Sequence, residues 1–448
     1  LVGRAFRYMD LAGQAIPEDW WRRYERAVRF LRLLRRPDGT LPRLGDTKVA
    51  GETGLRVARR SGGGVRLAPL EAPSPAGAAG LYPVAGYWVG WRGAGEGGPS
   101  QTVLPWSHFA GHGHKHADEL SLLFWANGVD WWTAVGYWPY GVPGREAATA
   151  WGGANAPHLA AEPTAWERSA RLLGHAQGRL RFLDLRRRVP SQGYRVRRQL
   201  IGLAGGTWAV LDSAAGGNGR ATEDVWRTGQ GVEVASPESG AFRLTHSSTS
   251  TALAVWHAGF DQARWVNGGQ GPGVEGFLAG DRHPIATNSL ILKRPSDGAP
   301  SLLAWRLGQG GDRPRILGWQ GPEHWRLRLP GNDGSVEVTR EGRALRFREA
   351  GGQSREVAIA SGPDAEVREQ RTAMARQLAS MQAGYGQFRA LLPYRERMTV
   401  ATGGLLAGHL VALFVAVSLW GRARAFGLMA LAGWLVFSGW LTLYYFRF

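Results

Sequence analysis

Cysteine is absent from the 448 residues, and lysine occurs only at Lys48, Lys115 and Lys293. The first absence excludes disulfides, thiolate catalysis and cysteine-ligated metals, and it fits either side of a membrane. The second leaves arginine to carry nearly all of a formal charge of +18. Such a field attracts polyanions, although a GC-rich coding bias also enriches arginine. The arginines are dispersed and no nucleic-acid-binding signature accompanies them, so nucleic acid is not the expected partner. The chain opens on Leu1 rather than Met, which suggests that a front portion precedes it.

Glycine and tryptophan are plentiful instead, at 65 and 21 residues. Many turns between short strands, with indoles in or near the core, suit a large β protein that handles sugars. Residues 1–61 read as helical: Pro17-Glu18-Asp19 starts a helix, Trp20, Tyr24, Val28, Leu31 and Leu34 follow at helical spacing, and Pro37-Asp38-Gly39 stops it. From Gly62 to residue 362, short apolar runs alternate with Gly, Pro, Asn and Asp clusters. Leu81–Trp91, Leu120–Trp125, Tyr194–Leu203, Thr207–Leu211, Leu253–His257, Ser289–Leu292, Leu302–Leu307 and Ser335–Thr339 are the clearest. That texture predicts a large antiparallel sandwich.

Residues 363–397 return to a charged helical pattern and read as a linker helix. Residues 398–446 hold two uncharged apolar stretches, Met398–Trp420 and Ala425–Phe446, each long enough to span a bilayer. Trp420, Trp440, Tyr444 and Tyr445 fall near their ends, as interfacial aromatics do. Arg422 and Arg424 in the connecting turn place it on the cytoplasmic side, against the opposing pull of Arg389, Arg395 and Arg397. The expectation is a two-span anchor in a bacterial inner membrane, with the main domain facing the periplasm.

The chemistry concentrates at His112-Gly-His-Lys-His-Ala-Asp118, which runs into Glu119–Gly128, read as a buried strand and turn. With His108, four of the 11 histidines fall within nine positions. Imidazoles are the groups best able to act as acid, base or ligand near neutral pH.

Four segments together resemble the heparinase II/III-like polysaccharide lyases, in which the end of an α/α-toroid precedes a β-sandwich. They are Pro37–Asp46; His114–Ser121 with Trp125–Gly128; Arg145 through His158; and Gly193–Arg198 with Trp208–Asp212. The resemblance spans roughly residues 1–310. It implies β-eliminative cleavage of a uronate-containing, acidic polysaccharide, with His114 as a catalytic histidine and Arg145 and Asn155 as substrate contacts. His112 and Trp138 are read as lining the cleft. The family's tyrosine and its partner would come from toroid helices preceding Leu1. Zinc-binding members use the histidine at His116, an aspartate at the position of Ala134 and a histidine at the position of Ala154. One remaining imidazole cannot make a four-ligand site, so either the metal is lost or His112, His158 or Asp118 rebuild a zinc site in another way; loss, and so no cofactor, is the expectation. The same loss favours an alternative, a non-catalytic polysaccharide-binding or envelope-polymer assembly factor. A metal-dependent hydrolase using His114 and His116 would need ligands on parallel strands, which the antiparallel texture does not supply.

Overall fold

The computed structural model describes residues 2–48, 55–71, 78–93, 98–106, 114–269, 273–281, 283–308, 310–332, 334–350 and 352–363. His108, His112, the linker helix and both apolar stretches lie outside these residues. Within them, no helix is long and apolar enough to cross a membrane.

Two helices, Val2–Leu11 and Glu18–Leu34, precede an almost wholly antiparallel β structure. The helical pattern does not continue to residue 61. Arg56–Ser61 and Gly64–Pro69 instead form a hairpin, turning at Gly62-Gly63. Seven of the eight apolar runs read from the sequence lie largely on strands, several of them longer than the runs, whereas Leu120–Trp125 becomes a strand only from Leu123. The run Leu81–Trp91 is divided between Ala79–Tyr82 and Tyr87–Arg92. The last strand ends at Ser361.

The core is layered. A nine-stranded sheet, with Tyr194–Gly202, Thr207–Ala215 and Asp297–Leu307 near its centre, is buried on both faces. Leu200, Trp208, Val210, Leu303 and Trp305 point to one side. Ile201, Ala209, Leu211, Leu302 and Ala304 point to the other. Side chains alternate along a strand, so both alternating sets must be apolar, and the sequence reads as continuous hydrophobic runs. The first face packs on the five-stranded sheet that contains Tyr87–Arg92, Ser100–Pro105 and Leu123–Ala126. The second packs on another five-stranded sheet, from Arg315–Trp319 to Arg355–Ala358.

The far face of the Tyr87–Arg92 sheet receives the helix Glu18–Leu34 and the loop after it, through Leu34 and Leu41 respectively, against Val89, Trp91, Val103, Leu123 and Trp125. The helix end is fastened there. Gln101 Nε2 donates to the carbonyls of Leu33 (2.8 Å) and Leu34 (2.9 Å), and Trp91 Nε1 to Leu33 (2.7 Å). These bonds satisfy last-turn carbonyls that would otherwise have no partner. Buried Arg36 then binds Gln101 Oε1 and, through both terminal nitrogens, Asp130. The loop that follows is therefore set on the sheet beside the histidine run.

Candidate functional site

Asp46 joins the two halves of the site. Its loop is held by Arg43, whose guanidinium donates to the carbonyls of Ala279 (2.8 Å) and Val135 (3.2 Å). Gly45 comes next, with φ +52°, and a Cβ there would meet the His114 carbonyl oxygen at 2.6 Å. Only glycine permits that approach. It brings the Asp46 carboxylate between two imidazoles: Oδ2 lies 2.8 Å from Nδ1 of His114, and Oδ1 lies 2.9 Å from Nε2 of His116. Arg145 donates to the same Oδ2 at 3.0 Å. Burial pushes the Asp46 carboxyl upward, but the hydrogen bonds from His114, His116 and Arg145 outweigh it and hold the group below its ordinary range.

A carboxylate only accepts, so both facing ring nitrogens donate to it. His114 then carries its proton on Nδ1 and presents the Nε2 lone pair outward, from a side chain 75% exposed. His116 is enclosed, at 3% exposure, and serves to brace Asp46. Tyr140 completes the exposed group. Its hydroxyl lies 3.4 Å from both His114 Nδ1 and Asp46 Oδ2, and the Arg145 guanidinium covers its ring at 3.8 Å. Lys48 lies nearby in sequence, its ammonium 4.7 Å from the Tyr137 ring centroid.

From His114 on, the histidine run is not a strand. Pairing begins only at Leu123, and His114–Leu122 form an irregular lead-in fixed by buried polar groups. Leu120 has φ +69°, a strained value for a branched side chain. Its carbonyl accepts from Arg198 (2.7 Å), which also binds the Asn155 carbonyl (2.8 Å). The Arg198 charge is balanced by Asp212 (2.7 Å) and Asp224 (2.5 Å). Burial pushes Asp224 up to about 7, against the pull of Arg198. On the other side, Lys115 contacts Asp118 and the His116 carbonyl, and Arg168 binds buried Glu119 at 3.1 Å.

Other candidates sit deeper than the sequence reading placed them. Asn155 is fully buried. Its amide donates to the Leu122 carbonyl (2.9 Å) and its Oδ1 accepts from the Arg227 amide (3.0 Å), so it brackets two strands rather than facing a cleft. Trp138 is also enclosed, 3% exposed, with Nε1 donating to the Pro143 carbonyl (3.0 Å). Burial of the ring with its one N–H satisfied leaves it no face for a ligand. Arg145 does reach the site, but as a partner of Asp46 and the Trp138 carbonyl. His158 stacks on Trp151 and binds the Ala156 carbonyl, and burial pushes its ring downward. In the sequence Asp46 is only the last residue of the Pro37–Asp46 loop, and Tyr140 is one of an aromatic run with Trp131, Trp132 and Trp138, read as core or as rings that stack on sugar; neither pattern pairs its residue with His114.

Zinc does not suit these residues. His116 Nε2 is taken up by Asp46 at 2.9 Å, and the other two positions are the buried apolar Ala134 and Ala154. No group of three or more His, Asp or Glu placed to hold a metal occurs among the described residues.

Comparison with solved structures places this arrangement on a known scaffold. The heparan sulfate lyase HepC from Pedobacter heparinus superposes with a TM-score of 0.56 at 13% identity, over 72% of this chain and 53% of that one. A heparinase III gene product gives 0.56 at 14%, over 77% and 53%. Another heparinase III structure gives 0.55 at 12%, over 77% and 55%. The chain has the heparinase III fold. It spans about half the length of those heparinases. None of the family models or curated proteins compared matches it. The segment that leads into strand Leu123–Ala126 carries His114 and His116, and the loop that follows helix Glu18–Leu34 carries Asp46.

Proposed function

We propose that this protein is a membrane-anchored, heparinase-like lyase that cleaves an acidic, uronate-containing polysaccharide by β-elimination at the periplasmic face of a bacterial inner membrane. The observation that carries the reading is His114: an exposed imidazole, tautomer fixed by Asp46, on the fold of heparan sulfate lyases.

In that reaction a base removes the C5 proton, the C4–O4 bond breaks, a C4=C5 double bond forms, and the departing oxygen takes a proton. His114 Nε2 fits one of the two proton transfers, because Nδ1 is occupied by Asp46 and a developing imidazolium beside that carboxylate is stabilised. The Tyr140 hydroxyl is the neighbouring group of the kind the other transfer needs. Lys48 and Arg145 supply positive charge where the uronate carboxylate must be neutralised to acidify C5–H. No step passes through a metal.

The test is formation of the unsaturated uronate chromophore by the full chain, offered polygalacturonate, alginate and heparan sulfate. Growth of the ultraviolet absorbance, slowed by ~10² or more in His114→Ala, is the expected result. Absence of product from every uronate polymer, with binding retained, would instead support the second reading, a polysaccharide-binding or assembly factor. Ala134 and Ala154 at the zinc-ligand positions favour that alternative.

A further inference from the structure

The adjacent strands Arg181–Val189 and Tyr194–Gly202 carry arginines on both faces, and the two faces treat them differently. On one face Arg187 and Arg198 are fully buried and each is matched by carboxylate: Glu162 at 2.5 Å for Arg187, Asp212 and Asp224 for Arg198. That face supports the histidine loop.

On the opposite face Arg186 sits directly across from Arg197, and Arg188 across from Arg195. Arg171, opposite Arg186 on the next strand, extends the row. These side chains lie beyond the part of the sheet covered by Phe182, Ile201 and the second five-stranded sheet. Arg186, Arg188, Arg195 and Arg197 line a hollow of about 350 Å³, completed by Ser213, Gly298 and Pro322. Acid is scarce there. Asp184 is shared by Arg197 and Arg340, and Glu323 also binds Arg197. Neither Arg188 nor Arg195 has a carboxylate partner among the described residues, and both are exposed.

Like charges placed opposite each other on a sheet are destabilising, so the Arg188–Arg195 pair, which no carboxylate among the described residues bridges, works against the fold. An anion between the guanidinium groups removes that repulsion and gains charge-assisted, bidentate hydrogen bonds. Cross-strand neighbours are ~5 Å apart, so the exposed Arg188 and Arg195 guanidinium groups can share one anionic group between them, at the rim of a hollow with room for more of the same polymer chain. No aromatic ring lines the hollow, whereas sites for single-stranded nucleic acid usually pair their cations with stacking rings.

We propose that this hollow is a second binding site, on the opposite face of the sheet from the one supporting His114, for a stretch of acidic glycan presenting carboxylate or sulfate groups. It would hold a polymer that the catalytic site works on, but it does not require that site to be catalytic.

The test is equilibrium binding by the full chain, in its wild-type form and as Arg188→Ser/Arg195→Ser. The probes are polygalacturonate (carboxylate only), dextran sulfate (sulfate only), neutral dextran, an oligo-dT strand and vesicles containing anionic lipid. Loss of about tenfold or more in affinity for one or both acidic glycans is expected from removing two charge-assisted contacts. Which glycan loses more identifies the anion. The double variant should also melt at a higher temperature than wild type without ligand and gain less on adding glycan. Undiminished glycan binding, or an equal loss for oligo-dT or vesicles, would overturn the proposal. Turnover is not measured, so failure here leaves the lyase reading untouched, and failure of the lyase reading leaves this one standing.

Discussion

Asp46 and His114 are 68 residues apart, yet carboxylate and imidazole meet at 2.8 Å because Gly45 allows the loop to lie against the His114 carbonyl. One carboxylate thus orients the exposed ring, binds the buried His116 and holds Arg145.

Asp46→Asn should preserve the fold and lower turnover by ~10² or more, because an amide can donate to Nδ1 and favour the tautomer whose Nε2 already carries the proton. Steady-state kinetics on a uronate polymer would check it. Turnover within twofold of wild type would mean that Asp46 does not orient His114.

The pH dependence follows from the sign of the Asp46 shift. Its folded carboxyl titrates below the unfolded value, so its contribution to stability is present above the ordinary carboxylate range and is lost as pH falls through the depressed folded value. Acid unfolding of wild type and Asp46→Asn should therefore converge at low pH and separate as pH rises past the ordinary carboxylate pKa. Curves that stay parallel throughout would show that the carboxylate is not stabilised by its three partners.

Gly45→Ala should displace the loop. The positive φ and the 2.6 Å approach to the His114 oxygen together predict a loss of about 1–3 kcal/mol, and a larger fall in activity than in stability. Denaturant melts and kinetics on the same preparation would separate the two. Wild-type activity in this variant would show that the approach is not needed.

Tyr140→Phe removes only a hydroxyl from an exposed ring, so stability should hold within about 0.5 kcal/mol. If that hydroxyl makes the second proton transfer, turnover falls by ~10² while KM changes little. A change confined to KM would make Tyr140 a binding residue instead.

Arg187→Ala should destabilise by about 3–5 kcal/mol, since it leaves Glu162 buried without its partner. Arg187→Ala/Glu162→Ala should recover part of that loss, and failure to recover would place the cost in lost packing on Trp151. For metal, elemental analysis of purified protein should find far less than one zinc per chain. A full equivalent would require ligands outside the described residues.

What the sequence determined by itself was periodicity. The runs Tyr194–Leu203, Thr207–Leu211 and Leu302–Leu307 had to be strands, because short, doubly apolar segments between glycines have no better way to bury both sides. His114 and Arg145 were visible because an imidazole cluster and an arginine in a familiar frame are local patterns. Tertiary structure alone decided the rest. Asp46 gained its role through a contact 68 residues away, set by a glycine conformation and by Arg36 and Arg43 reaching distant carbonyls and carboxylates. Asn155 and Trp138 were enclosed because sheets folded over them, and spacing along a chain does not record which side of a turn is covered. Arg187 and Arg198 differ from Arg188 and Arg197 by one residue each, and the pleat sends one pair into the core and the other toward the arginine-lined hollow.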